Sequence, residues 1–166
     1  MSEALDGWSE FNVAMVGATA ALAGLLIVAM SVNIAEIMKS PTLPARAAAS
    51  IATLVLAIVA GAFGLIPGQS EVAYGIEVVV AAALAAIFQW HAVQVIARAP
   101  GASPVRGERF LKSVAGVIPI AAFLVGGVLV AVGQIGAGLV FIGVGSVLAI
   151  IAAILMAWVV LVEVLR

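Results

Sequence analysis

Residues 113–162 contain no Asp, Glu, Lys, Arg or His. A soluble fold has no way to cover so long an uncharged run with polar surface. A helix needs ~20 apolar residues to cross the hydrocarbon core of a bilayer, and this stretch holds roughly two such lengths. Only helices or closed barrels can cross, because each backbone N–H and C=O needs a partner where water is absent. The apolar runs are continuous rather than alternating, which favours helices over barrel strands. The stretch therefore predicts two membrane helices. They divide at Gly133-Gln134-Ile135-Gly136-Ala137-Gly138, where glycines permit a tight helical hairpin.

The remainder of the chain repeats the pattern. Apolar residues make up 66% and charged residues 9% of the 166 residues, against ~25% charged in a typical soluble domain. Five spans are predicted, at about 11–34, 47–66, 72–96, 113–132 and 139–161. The expected fold is an all-α polytopic transmembrane helical bundle, forming a single domain over residues 1–166. Pro67-Gly68-Gln69 closes the second span, and Pro119 is placed in the first turns of the fourth, where a missing N–H costs little. Residues 97–112, rich in Pro and Gly, read as a loop. A signal peptide is the competing reading of the first run. Its flank is acidic rather than basic, and the run is too long for a signal core.

Charge orients the spans. Glu3, Asp6 and Glu10 precede the first span, and Glu71 and Glu77 follow the second. Lys39 and Arg46 follow the first, Arg98, Arg106, Arg109 and Lys112 follow the third, and Arg166 ends the chain. With five spans every basic side chain falls on one side, which the positive-inside rule makes the cytoplasm. The N-terminus is then outside and the C-terminus cytoplasmic. Trp8 and Tyr74 are expected at the outer interface, and Phe110 and Trp158 at the inner one, with Trp90 somewhat deeper on that side.

The inventory excludes much chemistry. There is no cysteine, so neither disulfides nor thiolate sites can form. His91 is the single histidine and Asp6 the single aspartate, so no Ser-His-Asp set can be assembled and no metal site or cofactor is expected. A net charge of −1 gives no reason to expect nucleic acid.

Polar residues gather toward the two ends of the spans. An outer collar holds Asn12, Gln69, Glu77 and Gln134, and an inner one holds Asn33, Glu36, His91, Gln94 and Arg98, with Glu163 a further candidate. Between them lie Thr19, Thr53, Ser146 and Gln89. Ionisable groups within membranes are costly and often functional, so Glu77, His91, Gln94, Asn33 and Glu36 are the candidate functional residues. The structural alternative is plain: Glu77 faces interfacial water or a neighbouring helix, His91 donates to a neighbour such as Glu36, and Asn33 with Glu36 marks a helix end. Glu77 and His91 are fourteen residues apart, roughly 21 Å along a helix, and cannot act together.

Small residues recur at helical spacing. Gly145, Ala149, Ala153 and Ala157 follow one another every fourth residue, and the pairs Gly17 with Ala21 and Ala20 with Gly24 have the same spacing in the first span. Close backbone approach drives helix association in lipid, so these stripes predict packing within the bundle or between copies. The basic residues Arg98, Arg106, Arg109 and Lys112 are candidates for contact with lipid headgroups or a cytoplasmic partner, beside their role in setting topology.

The opening Trp8-Ser9-Glu10-Phe11-Asn12-Val13-Ala14, with Gly17-Ala18-Thr19-Ala20-Ala21-Leu22-Ala23-Gly24-Leu25-Leu26 and Ser31-Val32-Asn33-Ile34, resembles small uncharacterised bacterial multi-pass membrane proteins. The resemblance covers mainly the first span and implies a bacterial cytoplasmic membrane, but no activity. The expected role is a non-catalytic membrane component: a scaffold, accessory subunit or regulator. Its partners would be lipids, a second copy or another membrane protein. The alternative is a small oligomeric channel or transporter with a hydrophobic constriction. No charged group or broken helix lies near the midplane of a span, which speaks against ion coupling.

Overall fold

The computed structural model describes residues 3–98 and 106–163, with side chains placed for 4–98 and 116–162. Every regular element among them is helical. α1 (Glu3–Asp6) is a single turn, followed by the long α2 (Ser9–Val32) and a short α3 (Ile34–Ile37). Then come α4 (Leu43–Phe63), α5 (Glu71–Arg98), α6 (Arg106–Ala131) and α7 (Ile135–Trp158), which continues through a π-helical turn, Val159–Glu163. Four helices are long and apolar enough to cross a membrane: α2, α4, α5, and α7 with its extension. In α6 the apolar part with placed side chains is Gly116–Ala131.

Local chemistry sets the boundaries. Ser40 Oγ accepts the Leu43 N–H at 3.3 Å, and Pro44 stands in the first turn of α4, where its missing donor is harmless. Ser70 Oγ accepts the Ala73 N–H at 3.2 Å and caps α5, with Glu71 on the electropositive first turn. Gly68 and Gly133 have φ of +75° and +88°, a region that residues with a Cβ rarely adopt, and they turn the chain after α4 and α6.

The helices form a bundle in which α6 packs on α5 and α7, α4 packs on α2, α5 and α7, and α2 also touches α7. α2, α5 and α7 run one way and α4 and α6 the other. One end therefore carries Asp6, Glu10, Glu71 and Glu77, and the opposite end carries Lys39, Arg46 and Arg98. These are the acidic and basic ends below. The core between them is small-chained. Ala57, Ala60, Val78, Ala82 and Val130 are fully buried around Tyr74 and Phe123. Outside, Leu25, Ile87, Trp90 and Trp158 each stand more than half exposed. An exterior this apolar is compatible with lipid as its solvent.

Several boundaries differ from expectation. α6 starts at Arg106, inside the region read as a loop, because Arg, Glu, Leu and Lys favour helix even beyond the apolar zone. Pro119 consequently lies mid-helix and buried rather than in the first turns. The break near Gly133 is short, and Ile135 already belongs to α7. The first span ends at Val32, where Asn33 interrupts it. Tyr74, expected at the headgroup level, is fully buried: it opens the inward stripe Tyr74, Val78, Ala82, Ala85 of α5. Trp8 packs on Phe11 edge to face, with ring centroids 5.3 Å apart, and lies over Gly143 of α7.

Candidate functional site

Arg46, Ser50 and Thr53 stand at i, i+4 and i+7 of α4, so they share one face. That face looks into a cleft of about 210 Å³ between α4, α5, α6 and α7. Gln89 of α5 lies across it, and Ile96, Leu155 and Met156 give it apolar walls. Gly116 of α6 makes room for the glutamine: a Cβ there would lie 2.5 Å from Gln89 Oε1. Gln89 itself is 8% exposed.

Among the described residues the cleft holds a positive charge and no negative one. Arg46 is half-buried, and among the described residues it makes no ion pair or side-chain hydrogen bond. A guanidinium keeps its charge in proteins, so taking it out of water demands a compensating partner. The Ser50 hydroxyl is buried without a hydrogen-bond partner. Thr53 is different: its hydroxyl donates to the Ala49 carbonyl at 2.9 Å. No carboxylate lines the cleft among the described residues. The arrangement offers positive charge and a free hydroxyl beside an apolar wall, which suits an anion.

A second polar group sits at the acidic end. Gln69 Nε2 donates to Glu77 Oε2, joining the α4–α5 loop to the second turn of α5. Asn12 of α2 and Tyr74 of α5 meet around Gly64, where a Cβ would lie 2.7 Å from Asn12 Nδ2 and 3.5 Å from Tyr74 Cε2. Asn12 Nδ2 and the Tyr74 hydroxyl have no hydrogen-bond partner.

The other candidates scatter. Glu36 pairs with Lys39 at 2.6 Å on the surface, while His91 is exposed on α5 and makes no hydrogen bond among the described residues, so the suggested Glu36–His91 contact is not formed. A carboxylate three residues from a lysine on an exposed turn finds that partner first. Gln94 is half-buried beyond His91. Asn33 is buried and donates from Nδ2 to the Ala29 carbonyl at 3.2 Å and the Val160 carbonyl at 3.5 Å, tying the end of α2 to the π-helical turn that continues α7. Arg98 is exposed at the end of α5, and the side chains of Arg106, Phe110, Arg109, Lys112 and Glu163 lie outside the described residues.

The mid-bundle hydroxyls are spent locally. Thr19 donates to Met15 O at 2.6 Å and Ser146 to Ile142 O at 3.1 Å. Gly145, Ala149 and Ala153 are buried and Ala157 half-buried, with Gly145 under the Phe123 ring and Ala153 against Leu54. Gly17, Ala21 and Gly24 face outward, and nothing lies within 4 Å of a Cβ built on either glycine.

Sequence reading missed Arg46 and Ser50 as a site. The signal was present: an arginine and two hydroxyls on one face at the start of an apolar run.

The fold defines an all-helical protein with four helices compatible with a membrane location. No family model matches the chain, and neither a curated protein nor a solved structure is significantly similar to it. No group of three or more metal-ligating side chains gathers among the described residues.

Proposed function

We propose that the chain is a five-span integral protein of a bacterial cytoplasmic membrane, with α2, α4, α5, α6 and α7 as spans, its N-terminus outside and its C-terminus in the cytoplasm. Its role is that of a non-catalytic scaffold, accessory subunit or regulator that packs against lipids and other membrane proteins. The observation that carries this reading is the contrast between interior and exterior. The middle of the bundle is filled by Ala57, Ala60, Val78, Ala82 and Phe123, and the hydroxyls of Thr19, Thr53 and Ser146 bond to their own helices. Binding surface therefore lies on the outside and at the ends. The open small-residue face of α2, with Gly17, Ala21 and Gly24, suits close approach of another helix from a second copy or a different protein.

That same open face favours one second reading, a small channel formed where several copies meet, gated by an apolar constriction. Mild extraction followed by native mass spectrometry, together with ion flux from purified protein in liposomes, separates the two. Silent liposomes with a co-purifying partner or bound lipid support the first reading. Flux carried by a defined oligomer replaces it with the second.

A further inference from the structure

We propose that the cleft between α4, α5, α6 and α7 binds the phosphate group of an anionic phospholipid, with the Arg46 guanidinium as its counter-charge and the Ser50 hydroxyl as a second donor. The proposal rests on the membrane reading above and names one ligand class for it.

Three observations converge on this ligand. Arg46 is half-buried with no anionic partner among the described residues, and the carboxylate nearest in sequence, Glu36, is engaged by Lys39. One turn further along the same face, the Ser50 hydroxyl is buried and unpartnered. A guanidinium presents a planar fork of donors that matches two phosphate oxygens at once, and a hydroxyl beside it can donate to a third. Thr53 and Gln89 also line the cleft, and Ile96, Leu155 and Met156 give it an apolar wall. A free phosphate would gain nothing from that wall, whereas an acyl chain gains free energy for each methylene it buries. Beyond Gln89, an almost wholly apolar groove of about 200 Å³ lined by Trp90, Val93, Val117 and Leu124 continues along the outer surface of α5 and α6. The position fits too, since Arg46 lies at the basic end, which the proposed topology puts in the cytoplasmic leaflet where anionic headgroups attract basic pockets between helices.

The test uses the full chain, delipidated in mild detergent and offered phosphatidylglycerol or phosphatidylcholine, with retained lipid counted by native mass spectrometry. Wild-type protein is expected to hold one phosphatidylglycerol per chain in preference to phosphatidylcholine. Arg46→Gln should weaken retention about tenfold, as loss of a charge-assisted contact does, and Ser50→Ala should weaken it severalfold. Arg46→Lys, which keeps the charge and loses the fork, should fall between wild type and Arg46→Gln. If Arg46→Gln does not fold, Ser50→Ala and Arg46→Lys carry the test. Lys39→Gln removes one positive charge from the same end outside the cleft and should leave retention unchanged. Equal loss in Lys39→Gln would reduce the effect to diffuse surface attraction and overturn the site. Displacement of the lipid by inorganic phosphate at comparable concentration would overturn the lipid as ligand. A protein that needs detergent yet retains no lipid sinks this proposal alone, whereas one that is monodisperse without detergent sinks the membrane reading with it.

Discussion

Gly126 of α6 and Gly138 of α7 face each other backbone to backbone: a Cβ built on Gly126 would lie 2.8 Å from the Gly138 carbonyl oxygen, and one on Gly138 would lie 2.7 Å from that of Gly126. The next residue repeats the arrangement on the other side. A Cβ on Gly127 would lie 2.9 Å from the Gly75 carbonyl oxygen of α5, and one on Gly75 would lie 2.7 Å from that of Gly127. Adjacent residues of a helix point about 100° apart, so the Gly126-Gly127 pair lets α6 approach α7 and α5 at one level. Helices that gain little from apolar association in lipid gain instead from backbone proximity.

Alanine at these crossings is therefore expected to destabilise. The obstructing atoms are backbone, which cannot rotate aside, so Gly126→Ala and Gly127→Ala should each cost roughly 1–3 kcal/mol, as overpacking does. Gly17→Ala and Gly24→Ala meet nothing within 4 Å and should be neutral or gain up to about 1 kcal/mol from helix propensity. Thermal unfolding of the four variants in one detergent reads the difference. Equal stability across the set would mean that the crossings are looser than they stand here.

Tyr74 offers a test of opposite sign. Its ring is fully buried and its hydroxyl lacks a partner. A buried polar group without a hydrogen bond costs on the order of 1–3 kcal/mol, and its removal by an isosteric apolar group is neutral or stabilising. Tyr74→Phe should therefore unfold no earlier than wild type. A melting temperature several degrees lower would show that the hydroxyl is bonded.

How far these features were legible in the sequence follows from the solvent. Charge-free runs coincide with helices, as they would where lipid demands both apolarity and internal hydrogen bonding. They marked where charge begins rather than where the helix ends, so the charged first turns of α6 fall outside the span read from the sequence. Which face turns inward was harder to read. In lipid the outside of a helix is as apolar as the inside, and hydrophobic periodicity loses its meaning. Side-chain size carries the information instead. Gly145, Ala149 and Ala153 of α7 do so and lie inside, but the same kind of pattern at Gly17, Ala21 and Gly24 lies outside. Distance from a span end does not tell which way Tyr74 faces, whereas its register with Val78 and Ala82 does. For the cleft, the face of α4 holding Arg46 and Ser50 was readable. Its closure by Gln89 and Gly116 depends on tertiary packing that no local pattern encodes.

The Gln69–Glu77 contact yields a coupling experiment. Glu77 is half-buried, and Gln69 donates to it from the loop. Gln69→Leu leaves the carboxylate without that donor and should cost about 1–3 kcal/mol. Glu77→Leu in the Gln69→Leu background removes the stranded charge and should restore much of the loss. If the two losses simply add in a double-mutant cycle, the pair contributes nothing beyond its separate members.

Topology is decided by the number of spans between two marked positions. The chain has no cysteine, so single introduced cysteines report cleanly. Met38, after α2, and Gln134, before α7, are both exposed and lie at opposite ends of the bundle. Between them run α4, α5 and α6. Three crossings put the two positions on opposite sides of the membrane. If α6 does not cross and only the four longer apolar helices do, two crossings put them on the same side. In intact cells, an impermeant maleimide should label Gln134→Cys directly and Met38→Cys only after permeabilisation. Labelling of both from one side would remove α6 from the membrane and, with it, the segregation of basic residues that orients the protein. Labelling with the sides exchanged would keep the five crossings and invert the orientation, against the preference of Lys39, Arg46 and Arg98 for the cytoplasmic face.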